Sequence, residues 1–222
     1  MNKAFQTANL LVAAGVATAM ILEIVLLATN RIDALFTAPT EFVPFGTRLV
    51  EMFSFLTTLS NLLAGIVATL LAIRPERAGR VWRVIRLDAL VSIVAIGLAF
   101  QILFAPHLTL TGAPLVLTLL YHVVNPLLAL LTWLLLDRRR QWSFRDVALS
   151  LIWPALYLAA IFTRGVFVHW YPYALADVDT LGGRAYLNGL GVIVLFFVLG
   201  SLAFLVDRRV PSRRSPDKEV QP

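Results

Sequence analysis

Six uninterrupted apolar runs divide this chain, at about residues 7–29, 49–73, 87–104, 115–136, 147–164 and 187–206. A helix rises 1.5 Å per residue, so roughly 17–25 such residues cross the hydrocarbon of a bilayer. Inside hydrocarbon every backbone N–H and C=O must find a partner in its own segment or in a closed barrel. Continuous runs rather than alternating ones point to helices. The expected fold is therefore all-α: a polytopic integral membrane protein with six transmembrane helices in one domain over residues 1–210. A tail over 211–222, rich in Pro, Ser and charge, is expected to be disordered. The first run is longer than the h-region of a signal peptide and lacks a following small-x-small cleavage site, so it reads as a span.

Composition agrees with this layout. The 222 residues are 59% apolar and 14% charged, with mean hydropathy +0.81; soluble domains are rarely so apolar. The net charge of +6 does not point to nucleic acid, because the basic residues sit in short clusters between apolar runs, as in cytoplasmic loops. Fifteen of the 19 Lys and Arg fall at one set of ends and loops: Lys3, the Arg74–Arg86 stretch, Arg138–Arg145 and the segment from Arg208 onward. The other set holds Arg31, Arg48, Arg164 and Arg184. This alternation holds for six spans and places both termini in the cytoplasm, hence a multi-pass protein of the cell inner membrane. There is no cysteine, which removes disulfides and thiolate chemistry.

Polar residues inside the runs carry the functional interest, since such groups are costly in hydrocarbon and face the bundle interior. The second run contains FLTTLSN and the fourth YHVVNP. Counted from the run starts, Thr57 lies about 12 Å and His122 about 10 Å along the helix axis, nearly the same depth. Ser54, Thr57 and Asn61 share a helical face, and so do Thr118, His122, Asn125 and Ala129. Glu23, Gln101 and Asn188 also fall near the outer ends of their runs, while the inner half is mostly Leu, Val, Ile and Ala. Pro126 removes the helical donor for the His122 carbonyl and predicts a bend there, as does Pro154 beside Trp153 and Tyr157. Thr58, Ser60 and Thr118 fit simple back-bonding to the preceding turn. His122, the one histidine within a run, fits a functional role better.

A hydroxyl and an imidazole at one depth suggest nucleophilic catalysis: the ring takes the hydroxyl proton and the oxygen attacks a carbonyl. Asn61, Ser60 or Asn125 is positioned to donate to the developing oxyanion, and Glu23 is a candidate to orient the imidazole. In the outer segment 165–186, Trp170, Tyr171 and Tyr173 suit an interfacial aromatic belt. Asp177 and Asp179 fit a helix cap or solvated turn better than a cation site. The three histidines, His107, His122 and His169, have no metal-ligand spacing, so no metal and no cofactor is expected.

FLTTLSNLLAG, YHVVNPLLALLTWLLLDRR, WPALYLAAIFTRG and WYPYALADVDTLGGRAYLNGLG together resemble the bacterial Pr-six-Pr family of membrane proteins. That family is similar to the animal androgen-induced and androgen-dependent membrane proteins, six-helix hydrolases of fatty acid esters of hydroxy fatty acids. The resemblance covers about residues 49–206. It implies a threonine nucleophile at Thr57, with Thr58 or Ser60 as neighbouring alternatives, and a histidine base at His122 in its His-x-x-x-Pro pattern. Ser60, Asn61, Asn125, Glu23, Tyr157 and Asn188 are the expected substrate-binding residues. The expected partners are membrane lipids and a lipophilic ester substrate. A carrier or lipid-binding protein using the same polar pocket is the second reading, although no inverted repeat or broken-helix pair supports a transporter. A purely structural protein is the third.

Overall fold

The computed structural model describes residues 3–29 and 43–210. The tail over 211–222 and most of the first outer loop, with Arg31 and Pro39, lie outside the described residues. Those described are helical, with no strand among them. Six segments are long and apolar enough to cross a membrane: Lys3–Ala28, Leu56–Ile73, Arg80–His107, Gly112–Leu136, Phe144–Val168 and Gly183–Arg209.

In chain order the α-helices are α1 (Lys3–Ala28), α2 (Phe45–Met52), α3 (Leu56–Ile73), α4 (Arg80–Leu103), α5 (Gly112–Leu119), α6 (Asn125–Leu136), α7 (Phe144–Ser150), α8 (Ile152–Val168), α9 (Val178–Leu181) and α10 (Gly183–Arg209). The run expected to begin at residue 49 is broken. α2 ends at Met52, Phe55 is extended, and α3 begins only at Leu56. Ser54 therefore lies outside α3, and its hydroxyl donates back to the Val50 carbonyl at 2.7 Å.

Both proline expectations take a more specific form. Ahead of Pro126 the fourth span carries a π turn over Leu120–Val124, with the Asn125 N–H bonded to the Leu120 carbonyl five residues back. Proline cannot supply the i→i−4 donor, and widening the turn by one residue accommodates the gap; such turns often occur at functional sites. In the fifth span α7 stops at Ser150 and α8 restarts at Ile152, so that Pro154 sits in a first turn, where no intrahelical donor is required.

Small residues let the helices approach. A side chain at Gly65 would meet Val16 Cγ1 at 2.8 Å, and one at Gly97 would meet the His122 carbonyl and Pro126 at 3.1 Å. Close backbone approach of this kind drives helix packing where hydrophobic collapse cannot. Large apolar residues such as Leu10, Ile21, Ile66, Ile102 and Phe167 are exposed, while Asn61, Asn125, Ser92 and Asp207 are fully buried, the polarity expected of a bundle in lipid.

One end of the bundle gathers the chain's arginine-rich turns. Gln6 Nε2 reaches the Ala72 carbonyl at 2.8 Å, joining the start of α1 to the end of α3. Arg86 holds both Asp137 and Gln141, and the Trp142 indole donates to the Arg83 carbonyl at 3.0 Å. Asp207, near the end of α10, accepts from the backbone N–H groups of Gln141 at 2.6 Å and Trp142 at 3.1 Å. The mostly aliphatic half of the bundle also buries two polar side chains here, Asn9 and Asp88.

Candidate active site

The break between α2 and α3 is held from outside. The Tyr157 hydroxyl donates to the Ser54 carbonyl at 3.0 Å, and Phe55 packs edge-on against Trp170 and Tyr173 with ring centres 6.0 and 5.4 Å apart. Thr57 thus becomes the second residue of α3. The first turn of a helix carries N–H groups with no intrahelical acceptor, at the positive end of the helix dipole. In α3 these belong to Leu56, Thr57 and Thr58. The Thr57 N–H points at the Tyr173 hydroxyl, 3.4 Å away.

On the facing span, the π turn carries His122. Its Nδ1 lies 3.1 Å from the Thr118 carbonyl oxygen. A carbonyl only accepts, so Nδ1 bears the proton and Nε2 offers its lone pair. Nε2 lies 3.4 Å from Thr57 Oγ1, in the loose range of resting catalytic pairs. Phe100 stacks on the imidazole, ring centres 3.8 Å apart and planes 19° apart, which fixes the plane of the ring. Of the three neighbouring hydroxyls, Thr57 is the one that meets His122. Thr58 is buried at the cavity wall, and Ser60 is fully buried with its Oγ unpartnered.

Asn61 and Asn125 stand behind this pair rather than in the cavity. Asn61 Nδ2 donates to the carbonyls of Thr57 at 3.1 Å and Tyr121 at 3.3 Å, and Asn125 Nδ2 donates to Asn61 Oδ1 at 3.0 Å. Asn61, Asn125 and Ser60 are not in the cavity wall, so the oxyanion donors expected of them do not stand beside the pair; the first-turn N–H groups of α3 do. Glu23 does not orient His122 either: it accepts from the Tyr121 hydroxyl at 2.6 Å, and a backbone carbonyl does the orienting.

The pair opens into a cavity of about 800 Å³ whose walls include Glu23, Thr57, His122, Tyr157 and Asn188. Ile96, Leu158, Ile161, Val192 and Leu195 form an aliphatic stretch of the wall. The polar part of the wall includes Glu23, Tyr121, Arg48 and Glu51. Burial pushes the Glu51 carboxyl above its ordinary value, against the pull of Arg164 and Arg48. Burial likewise pushes the Tyr173 phenol up, against its hydrogen bonds with Thr57. Tyr173 therefore keeps its proton and has both a donor and an acceptor beside Thr57.

The sequence reading took Tyr173 for an interfacial anchor. The signal available was the density of WYPY, which cannot show that two of its three aromatic rings, Trp170 and Tyr173, line the cavity. Trp170 lines the cavity while stacking under the Arg164 guanidinium at 4.8 Å. Asp177 caps α9, accepting from the N–H groups of Asp179 at 2.9 Å and Thr180 at 3.2 Å. Asp179 pairs with His169 at 2.9 Å. Gln101 is exposed. No protein-family model, curated protein or solved structure matches this chain.

Proposed function

We propose that the protein is an intramembrane lipid-ester hydrolase of the bacterial Pr-six-Pr type, with Thr57 as nucleophile and His122 as general base. The observation that carries this reading is the 3.4 Å approach of Thr57 Oγ1 to the lone-pair nitrogen of an imidazole locked in one tautomer. Nε2 takes the Thr57 proton as Oγ1 attacks the ester carbonyl. The oxyanion forms at the N-terminus of α3, beside its first-turn N–H groups and the Tyr173 hydroxyl. Collapse expels the alcohol, protonated by Nε2, and leaves an acyl-threonine. Water, deprotonated by the same nitrogen, then releases the fatty acid and restores Thr57. The imidazolium formed in each half is stabilised by the Thr118 carbonyl.

The distribution of Lys and Arg supports cytoplasmic termini and insertion in the inner membrane, with the cavity toward the outer leaflet and substrate entering from lipid. The decisive experiment is hydrolysis of a lipophilic ester by purified Thr57→Ala and His122→Ala proteins. Both are expected to lose activity by about 10²–10⁴-fold, and an activated-ester probe is expected to acylate Thr57 in the wild type. Full activity in both variants would overturn the assignment. Saturable transport of a solute with no hydrolysis would favour the carrier reading instead.

A further inference from the structure

Two stretches of the cavity wall differ in chemistry, and the reactive pair lines the same cavity. The stretch formed by α4, α8 and α10 is aliphatic, with Ile96, Leu158, Ile161, Val192 and Leu195. It suits an acyl chain. The other stretch contains a carboxyl group within a membrane span, Glu23 on α1. Its Oε2 accepts from Tyr121, and no Lys or Arg among the described residues forms an ion pair with it. A carboxyl group in such a setting is expensive, and its second oxygen has capacity for a further hydrogen bond.

Its position relative to the chemistry is fixed by chain adjacency. Tyr121, which holds Glu23, immediately precedes His122, and their ring centres are 6.4 Å apart. In that reading His122 hands its proton to the departing alcohol, so the alcohol portion of the ester lies beside His122, in the cavity whose wall also holds Tyr121 and Glu23. With the acyl chain along the aliphatic stretch, the stretch with the carboxyl is left for the leaving group.

We infer that Glu23, positioned by Tyr121, is the specificity determinant for the alcohol half of the substrate, and that the substrate is an ester whose alcohol carries a hydrogen-bond donor of its own, as the free hydroxyls of a glycerol monoester do. This inference rests on the hydrolase reading above. The bond to Glu23 forms outside the reacting atoms. It raises kcat/KM for donor-bearing esters and leaves esters without a donor unaffected.

The test compares 1-monopalmitoylglycerol with methyl palmitate, which share the acyl chain and differ in free hydroxyls, using the purified full chain in detergent. A hydrogen bond to the Glu23 carboxyl predicts a wild-type preference for the glycerol ester of about tenfold in kcat/KM. In the double variant Glu23→Leu/Tyr121→Phe, which leaves no unpaired phenol, that ratio is expected to fall toward one, the glycerol ester losing several-fold more than methyl palmitate. Tyr121→Phe by itself retains the Glu23 carboxyl but removes the bond that positions it, and is expected to give a ratio between those of the wild type and the double variant. Equal rates in the wild type, a preference that survives the double variant, or an equal loss on both esters would overturn the inference while leaving the hydrolase intact. Cleavage of neither ester by the wild type would overturn both.

Discussion

Asn125 Nδ2 donates to Asn61 Oδ1 at 3.0 Å, and both side chains are fully buried. This single bond sets the register of α3 against the fourth span, because Asn61 in turn holds the carbonyls of Thr57 and Tyr121, the residue itself and the immediate neighbour of the two groups that meet in the cavity. Replacing Asn125 by Ala leaves Asn61 Oδ1 buried and unpaired, at a cost of about 1–3 kcal/mol. A lowered unfolding midpoint, together with a larger fall in hydrolysis than a remote variant of equal stability shows, is the expected result.

Gly97 bears on the geometry more than on the fold. A side chain there would press within 3.1 Å of the His122 carbonyl and Pro126, a contact the rigid backbone of the π turn cannot relieve. Gly97→Val should cost about 1–3 kcal/mol through overpacking. It should also disturb the Thr57–His122 approach, so that activity falls by more than the loss of folded protein explains. Thermal unfolding and kcat measured on the same preparation separate the two effects.

Tyr173 is expected to act on the transition state. Tyr173→Phe removes the hydroxyl beside the Thr57 N–H while keeping the ring packed on Phe55. Loss of one donor at an oxyanion site costs about 10²–10³ in kcat when the donor is optimally placed. A fall in kcat with KM nearly unchanged is the expected outcome, read from steady-state kinetics on any soluble ester probe.

Glu51 makes a pH prediction. Its carboxyl is raised by burial above 4.5, the value taken for the unfolded chain. The folded protein therefore binds this proton more tightly, so the group's contribution to stability is fully present below 4.5 and is lost as pH rises through the folded value. Glu51→Gln lacks that loss. Its melting temperature should exceed that of the wild type increasingly from about pH 5 to pH 7, by a modest amount because the side chain is only partly buried and solvent screens it.

The six membrane-length helices were legible because run length and polarity follow directly from bilayer thickness. The local chemistry was legible in part. Thr57 and His122 do approach, but the argument from equal depth rested on a second span starting at Leu49, and α3 starts at Leu56. Nothing in Phe53–Phe55 forbids helix. The break is held by Tyr157 and Tyr173, residues 103 and 116 positions away, and such long-range partners leave no local signature. The same holds for Asn61 and Asn125. Their type marked them as polar groups needing partners, yet whether a buried amide faces a cavity or another amide depends on helix rotation, which the one-residue phase shift of the π turn altered. Glu23 was visible as a costly carboxyl, but its partner was chosen by packing.

The group that holds the His122 ring is a main-chain oxygen, that of Thr118. Most catalytic imidazoles lean on a carboxylate that a single codon change can delete. Here no side-chain replacement at position 118 erases the support, since every amino acid brings the same oxygen. Mutational scanning should accordingly show a tolerant site at 118 next to an intolerant one at 122. Abolishing the support would require reshaping the helix turn itself.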